Sequence, residues 1–130
     1  MNRQIKFADW GVVEYNKAWM DQESAFNETI NKKIIGTETD NLLVFCEHPH
    51  VYTLGKSGDE HNMLLNYIQL QAKDAAFVKT NRGGDITYHG PGQVVGYPIF
   101  DLANFNLGLK QYIYNIEEAI IKTLRLYNIM

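Results

Sequence analysis

A chain of 130 residues, 45% hydrophobic and 21% charged, has the make-up of one globular domain and excludes a fibrous or disordered sequence. Its formal charge of -3 and pI near 5.7 exclude a broad basic face for nucleic acid and leave room only for local basic patches. The single cysteine, Cys46, excludes an intramolecular disulfide, and no stretch reads as a secretory leader or a bilayer-spanning segment, so the expected compartment is the cytoplasm, away from any membrane.

In chain order, residues 11–33 predict an amphipathic helix, because Tyr15, Trp19, Phe26 and Ile30 recur near the spacing of one helical face. Asp9 is the expected cap at its start, and Gly36 stands where a left-handed residue stops it. Residues 42–46 form a short apolar run bounded by Asn41 and by Glu47-His48-Pro49, which suits a buried strand, and residues 51–54 resume extended structure. Leu64, Leu65, Ile68 and Leu70 fit a helix within residues 56–74, although Gly58, Asp59 and Asn62 favour a loop there. Residues 76–80, 86–89 and 94–100 read as strands. Between the last two, Gly90-Pro91-Gly92-Gln93 suits a type II turn, with proline second and glycine third; such a turn splays its strands, so the flanking pair is expected to diverge around a pocket instead of closing a simple hairpin. Residues 109–127 predict a second helix, with Tyr112, Ile116, Ala119, Ile120, Thr123, Leu124 and Tyr127 on a broad apolar face expected to pack on the core. No linker, repeat or low-complexity tract marks a second unit, and the absence of a closing strand before Met130 makes the chain read as part of a longer domain.

The chemistry concentrates in residues 82–93. Four glycines there permit positive φ or close approach to a ligand, while Arg82, Asp85, Thr87, Tyr88, His89 and Gln93 supply donors and acceptors. A phosphate-binding P-loop needs a lysine followed by Ser or Thr and then a helix, and a dinucleotide fingerprint needs a helix directly after its glycines. Neither is present. Alternation along residues 86–89 puts Thr87 and His89 on one face and Ile86 and Tyr88 on the other, so one strand can line pockets on both sides. Cys46, inside an apolar run, reads as a buried small hydrophobe in preference to a nucleophile. His48, His50, His61 and His89, with Glu47, Asp59 and Cys46, follow no known ligand spacing, so no metal is expected. His48 and His50 read as hydrogen-bonded loop residues, and His89 either pins the turn or contacts substrate. Arg82 has two roles open to it: a partner for a carboxylate such as Asp85, or a ligand-binding group at the head of the pocket. Lys32, Lys33 and Lys56 read as solvated charges.

Arg82-Gly83-Gly84-Asp85-Ile86-Thr87-Tyr88-His89-Gly90-Pro91-Gly92-Gln93 resembles the RGG-x-x-TYHGPGQ signature of octanoyltransferases of lipoate synthesis, also called lipoate-protein ligase B. Glu47-His48-Pro49-His50-Val51-Tyr52-Thr53-Leu54-Gly55 is similar to that family's preceding block, and Gly96-Tyr97-Pro98-Ile99 with Asp101-Leu102 to its following strand. The resemblance implies a mixed α/β (α+β) fold of the biotin/lipoate ligase-transferase type, with a mixed central sheet flanked by helices and incomplete at its C-terminal end. It also implies transfer of an octanoyl group from acyl carrier protein to a lysine of a lipoyl domain, in 2-oxoacid dehydrogenase complexes or the glycine cleavage H protein. The group passes through a thioester on a cysteine activated by a lysine, with no cofactor. By the same resemblance, Arg82, Gly83, Gly84, Asp85, Ile86, Thr87, Tyr88 and His89 are the substrate-binding segment, Tyr88 and His89 stand near the reacting carbonyl, and the catalytic cysteine and lysine lie beyond Met130. The alternatives are a non-catalytic acyl- or carrier-binding module and a fragment of a related lipoate or biotin ligase.

Overall fold

The computed structural model describes residues 1–56, 58 and 74–129, so the helix placed on Leu64, Leu65, Ile68 and Leu70 lies outside the described residues, as do Asp59 and His61. Two helices and two three-stranded mixed sheets make up the described chain, which bears out the mixed α/β expectation with the sheet divided in two. In the first sheet, β1 (Ile5–Val12) runs parallel to β2 (Asn41–Glu47), which pairs antiparallel with β6 (Val95–Ile99). In the second, β3 (Val51–Leu54) lies between β4 (Ala76–Lys79), parallel to it, and β5 (Ile86–His89), antiparallel to it.

Sequence patterning did not reveal β1, because Lys6, Asp9 and Gly11 break its alternation and the strand is mostly exposed. Asp9 consequently does not cap the first helix. Its carboxylate accepts from the Gly11 N–H at 2.8 Å, where Gly11 takes φ +63° and the register with β2 shifts. The helix α1 (Tyr15–Ile35) starts instead at Glu14, whose carboxylate accepts from the Asn16 and Lys17 N–H groups at 3.0 and 3.1 Å. It stops at Gly36 in the left-handed conformation, as expected.

The turn at Gly90-Pro91-Gly92-Gln93 closes with Gln93 N–H donating to the Gly90 carbonyl at 3.2 Å, and Gly92 has φ +87°, as a type II turn requires. Its flanking strands part company: β5 joins the second sheet and β6 the first. The turn therefore bridges the two sheets, which places the residues around it between them.

A polar network knits the far end of the first sheet. Asn41 is fully buried; its amide donates to the Asn2 and Gln4 carbonyls at 2.9 and 3.0 Å, and its Oδ1 accepts from Asp101 N–H at 3.1 Å and from Asn104 Nδ2 at 3.2 Å. Buried Thr39 donates to Asp101 Oδ2 at 2.7 Å, and Lys33 Nζ reaches Asp101 Oδ1 at 2.9 Å. Burial alone would raise the Asp101 carboxyl, but the bonds from Lys33, Thr39 and the Ala103 N–H outweigh it and hold the group below the usual carboxylate range. Asp101 also opens a short 3-10 helix, Leu102–Phe105, before the second helix, α2 (Leu109–Leu126).

The apolar face of α2 differs from expectation. No residue of α2 is buried; of the face read from sequence, Tyr112, Ile116 and Leu124 are half-buried, while Ala119, Ile120, Thr123 and Tyr127 are exposed. Amphipathic periodicity was sufficient to form the helix, yet among the described residues only a thin packing layer meets it, including the contact of Tyr112 with Phe100 at a centroid distance of 6.2 Å. Phe7 and Phe45, which meet edge to face at 5.3 Å on the first sheet, are likewise exposed.

Candidate functional site

The three sequence blocks converge around the bridging turn. Residues 81–85 form a tight bend before β5, with Gly84 at φ +88°. Gly55, at the end of β3, packs so closely on this bend that a Cβ there would collide with the Gly83 and Gly84 carbonyls. Gly55 N–H donates to the Asp85 carbonyl at 2.7 Å, and Lys56 N–H to the Arg82 carbonyl at 2.9 Å.

Arg82 braces the bend. Its Nη2 donates to the carbonyl and hydroxyl of Thr53, at 2.8 and 2.7 Å, and to the Asp85 carbonyl at 3.0 Å; its Nη1 reaches the Gly83 carbonyl at 2.8 Å. Arg82 thus meets Asp85 at its backbone carbonyl. Arg82 also lines a pocket of about 240 Å³ together with Tyr15, Trp19, Asn81, His89 and Tyr97. Burial pushes the Tyr15 hydroxyl pKa up, opposed by the positive charge of Arg82.

Of the expected segment, Arg82 and His89 share this pocket. Gly83, Gly84 and Asp85 shape the bend behind it, while Ile86 and Thr87 pair with Leu54 and Thr53 across the β3–β5 ladder. Tyr88 points the other way. It hydrogen-bonds His50, packs on Tyr52 at a centroid distance of 5.1 Å, and lines a separate pocket of about 410 Å³. Period-two alternation forces this separation, so Tyr88 and His89 line different pockets.

Sequence reasoning did not single out Tyr15, His48 and Tyr97 as site residues, yet they enclose His89. The Tyr15 ring stacks on His89 at 6.1 Å and 13°, and His48 meets His89 edge-on at 5.7 Å. His48 is fully buried. Its Nδ1 lies 2.8 Å from the Val13 carbonyl, an acceptor only, so Nδ1 carries the proton; Nε2 then accepts from the Tyr97 hydroxyl at 2.7 Å. Burial lowers the His48 pKa, which keeps the ring neutral, and burial raises the Tyr97 hydroxyl strongly, which keeps it a donor. The signal for both lay in the flanking blocks: Glu47-His48-Pro49 and Gly96-Tyr97-Pro98 are brought together by the β2–β6 pairing, in which Cys46 faces Val95. Glu47 completes the join, accepting from Gly92 N–H at 2.6 Å and so pinning the turn.

Cys46 is buried, 3.8 Å from His48 Nε2, and burial, with the Asp9 charge adding to it, pushes its thiol pKa up. A raised thiol pKa disfavours the thiolate, so Cys46 has the environment of a packing residue. Among the described residues no cluster of His, Cys, Asp or Glu has the arrangement to hold a metal, and no helix is long and apolar enough to cross a membrane.

A pH dependence follows from His48. Its folded pKa lies below the ordinary 6.5, so below that pH the unfolded chain takes up a proton that the folded ring refuses. Stability is expected to be intact above pH 6.5 and to fall as pH drops through the folded value. Urea denaturation at about pH 7.5 and pH 5.5 checks this; His48→Gln should weaken the dependence, and an unchanged dependence in that variant would remove His48 as its cause.

The family described as the lipoyl protein ligase A/B catalytic domain matches residues 19–130. Similar curated proteins include octanoyltransferases of Christiangramia forsetii (51% identical), Flavobacterium johnsoniae (52%) and Cytophaga hutchinsonii (50%); each alignment covers 99% of this chain and 58%, 58% and 56% of the respective relative. The chain therefore spans a little over half the length of these relatives. Among solved structures, P. falciparum LipL1 in complex with lipoate superimposes with a TM-score of 0.51 at 14% identity, over 72% of this chain and 29% of that one, a likeness of fold alone. With 112 of its 130 residues matched (19 through 130), the chain belongs to the lipoyl protein ligase A/B catalytic domain family.

Proposed function

We propose that this chain is the acyl-binding portion of an octanoyl-acyl carrier protein:protein octanoyltransferase, acting in the cytoplasm. The observation that carries the proposal is the convergence of Arg82, His89, Tyr15 and Tyr97 on one pocket, in a chain about 50% identical to octanoyltransferases along almost its whole length. In this proposal residues 82–89 form the substrate-binding segment, with Arg82 and His89 at the polar head of the acyl thioester, the bend of Gly83, Gly84 and Asp85 shaping that head, and Tyr88 on the opposite face of the strand. The tail has a route onward: Trp19, Gln22 and Asn81 also line a groove of about 690 Å³ walled by Phe26, Ile99, Phe100 and Tyr112. A saturated eight-carbon tail gains by leaving water for such a wall, at roughly 0.8 kcal/mol per buried methylene. The donor is octanoyl-acyl carrier protein and the acceptor a lipoyl-domain lysine.

Cys46, buried with its thiol disfavoured as thiolate, is a poor nucleophile, so these residues by themselves bind acyl groups without turning them over. A chimera tests this. This chain is substituted for its matching 58% of the Flavobacterium johnsoniae octanoyltransferase and compared with the 130-residue chain in an octanoyl-transfer assay. The chimera is expected to transfer and the chain alone is not. Octanoate binding to the chain with an inert chimera would favour a non-catalytic acyl- or carrier-binding module, and loss of both would end the proposal.

A further inference from the structure

Among the described residues His89 is the one histidine lining the pocket, and the turn decides which of its nitrogens carries the proton. Gln93 Nε2 lies 3.4 Å from the Tyr88 carbonyl, which only accepts, so the amide nitrogen faces that oxygen and Oε1 faces the imidazole. Oε1 lies 2.6 Å from His89 Nδ1, and an amide oxygen only accepts as well. Nδ1 must therefore carry a hydrogen. In the neutral ring Nε2 is then a bare acceptor, and among the described residues no hydrogen bond occupies it.

We infer that Gln93 is a positioning residue that holds His89 as its Nδ1–H tautomer, making Nε2 the proton acceptor of the pocket. Three further contacts hold that geometry. The turn carrying Gln93 is tied to β2 by Glu47, the Tyr15 ring stacks on one face of the imidazole, and the edge of neutral His48 closes on it. Among the described residues the charged and titratable groups around His89 are Arg82, Tyr15 and Tyr97 in the pocket and His48 beside it.

The inference rests on the proposed acyl transfer for its chemistry. When an acceptor amine adds to the thioester carbonyl, the C–N bond forms and the C–S bond breaks, its electron pair leaving on sulfur. The amine proton passes to His89 Nε2 and from there to the departing thiolate, so no proton is gained or lost overall. A His89 in the opposite tautomer would offer Nε2–H to the pocket and could not take that proton.

Imidazole nitrogen NMR on the 15N-labelled chain decides the tautomer. The expected spectrum has His89 Nδ1 in the protonated, pyrrole-type range and Nε2 in the bare, pyridine-type range, with Gln93→Leu moving the ring towards the Nε2–H form. Gln93→Glu keeps an acceptor on Nδ1 and should retain the wild-type pattern. A wild-type His89 protonated on Nε2, or a pattern indifferent to Gln93→Leu, overturns the inference. In the chimera, Gln93→Leu should lower kcat roughly tenfold with KM little changed, and Gln93→Glu should restore part of the loss. A fall in KM-linked binding alone would instead make Gln93 a structural residue and overturn the inference. A chimera inactive with every residue at position 93 would count against acyl transfer, while the spectrum would still decide the tautomer.

Discussion

Replacing Asn41 with leucine is expected to cost about 3 kcal/mol or more of stability, a large share of what a domain of this size possesses. Leucine nearly matches the shape of asparagine, so packing changes little; the loss is in hydrogen bonding. The Asn2 and Gln4 carbonyls, just before β1, lose their donor, and the Asp101 N–H and Asn104 amide lose their acceptor, around a side chain that is itself fully buried. Each buried polar group left without a partner costs roughly 1–3 kcal/mol, and the groups belong to four different residues, so one small movement cannot rescue them all. The effect should propagate, because Asp101 also anchors Thr39 and Lys33 and starts the 3-10 helix. Urea denaturation with a two-state fit measures it. A loss below about 1 kcal/mol would mean that water replaces Asn41, and the network would then be ornamental to stability.

Arg82→Met is expected to have an effect of similar size on the fold and a larger one on function. Thr53 is fully buried, and both its hydroxyl and its carbonyl depend on the guanidinium, as does the Asp85 carbonyl that also receives Gly55 N–H. Hydrogen bonds to a charged group contribute roughly 1.5–3 kcal/mol, so a net loss of about 3 kcal/mol is expected. Arg82→Lys should recover little of it, because a single ammonium cannot span Thr53, Asp85 and Gly83 as the planar fork does. In the chimera, octanoyl transfer should fall by far more than the folded fraction does, since the bend positions both the pocket wall and the positive charge. Denaturation curves and transfer rates on the same preparations separate the two effects. Transfer that tracks the folded fraction would leave Arg82 a purely structural brace.

The separation of Tyr88 from His89 and the enclosure of His89 show which parts of the site local patterning reaches. Alternation along a strand is a covalent consequence of the pleat, so the opposite facing of these neighbours was legible from residues 86–89 alone. The enclosure was not legible in that way. Tyr15 looked like one more aromatic on a helical face and His48 like a loop residue, because their partners are distant in sequence: 49 residues separate His48 from Tyr97, and 45 separate Glu47 from Gly92.

Sequence by itself determined the strands at residues 51–54 and 86–89, the left-handed stop at Gly36, the type II turn and its splayed strands, the pocket-forming composition of residues 82–93 and the family. These rest on short-range chemistry: steric limits on φ, period-two alternation, and glycine where the backbone crowds itself. Tertiary structure alone decided that Glu14 and not Asp9 caps α1, that the sheet divides, that Arg82 spends most of its donors on backbone carbonyls, and that His89 sits in a ring of Tyr15 and His48 with its tautomer set by Gln93. It also decided that the apolar stripe of α2 is left largely uncovered among the described residues. Periodicity specifies that a face is apolar, whereas burial needs a partner surface brought to it through space, and no local pattern encodes which surface that is.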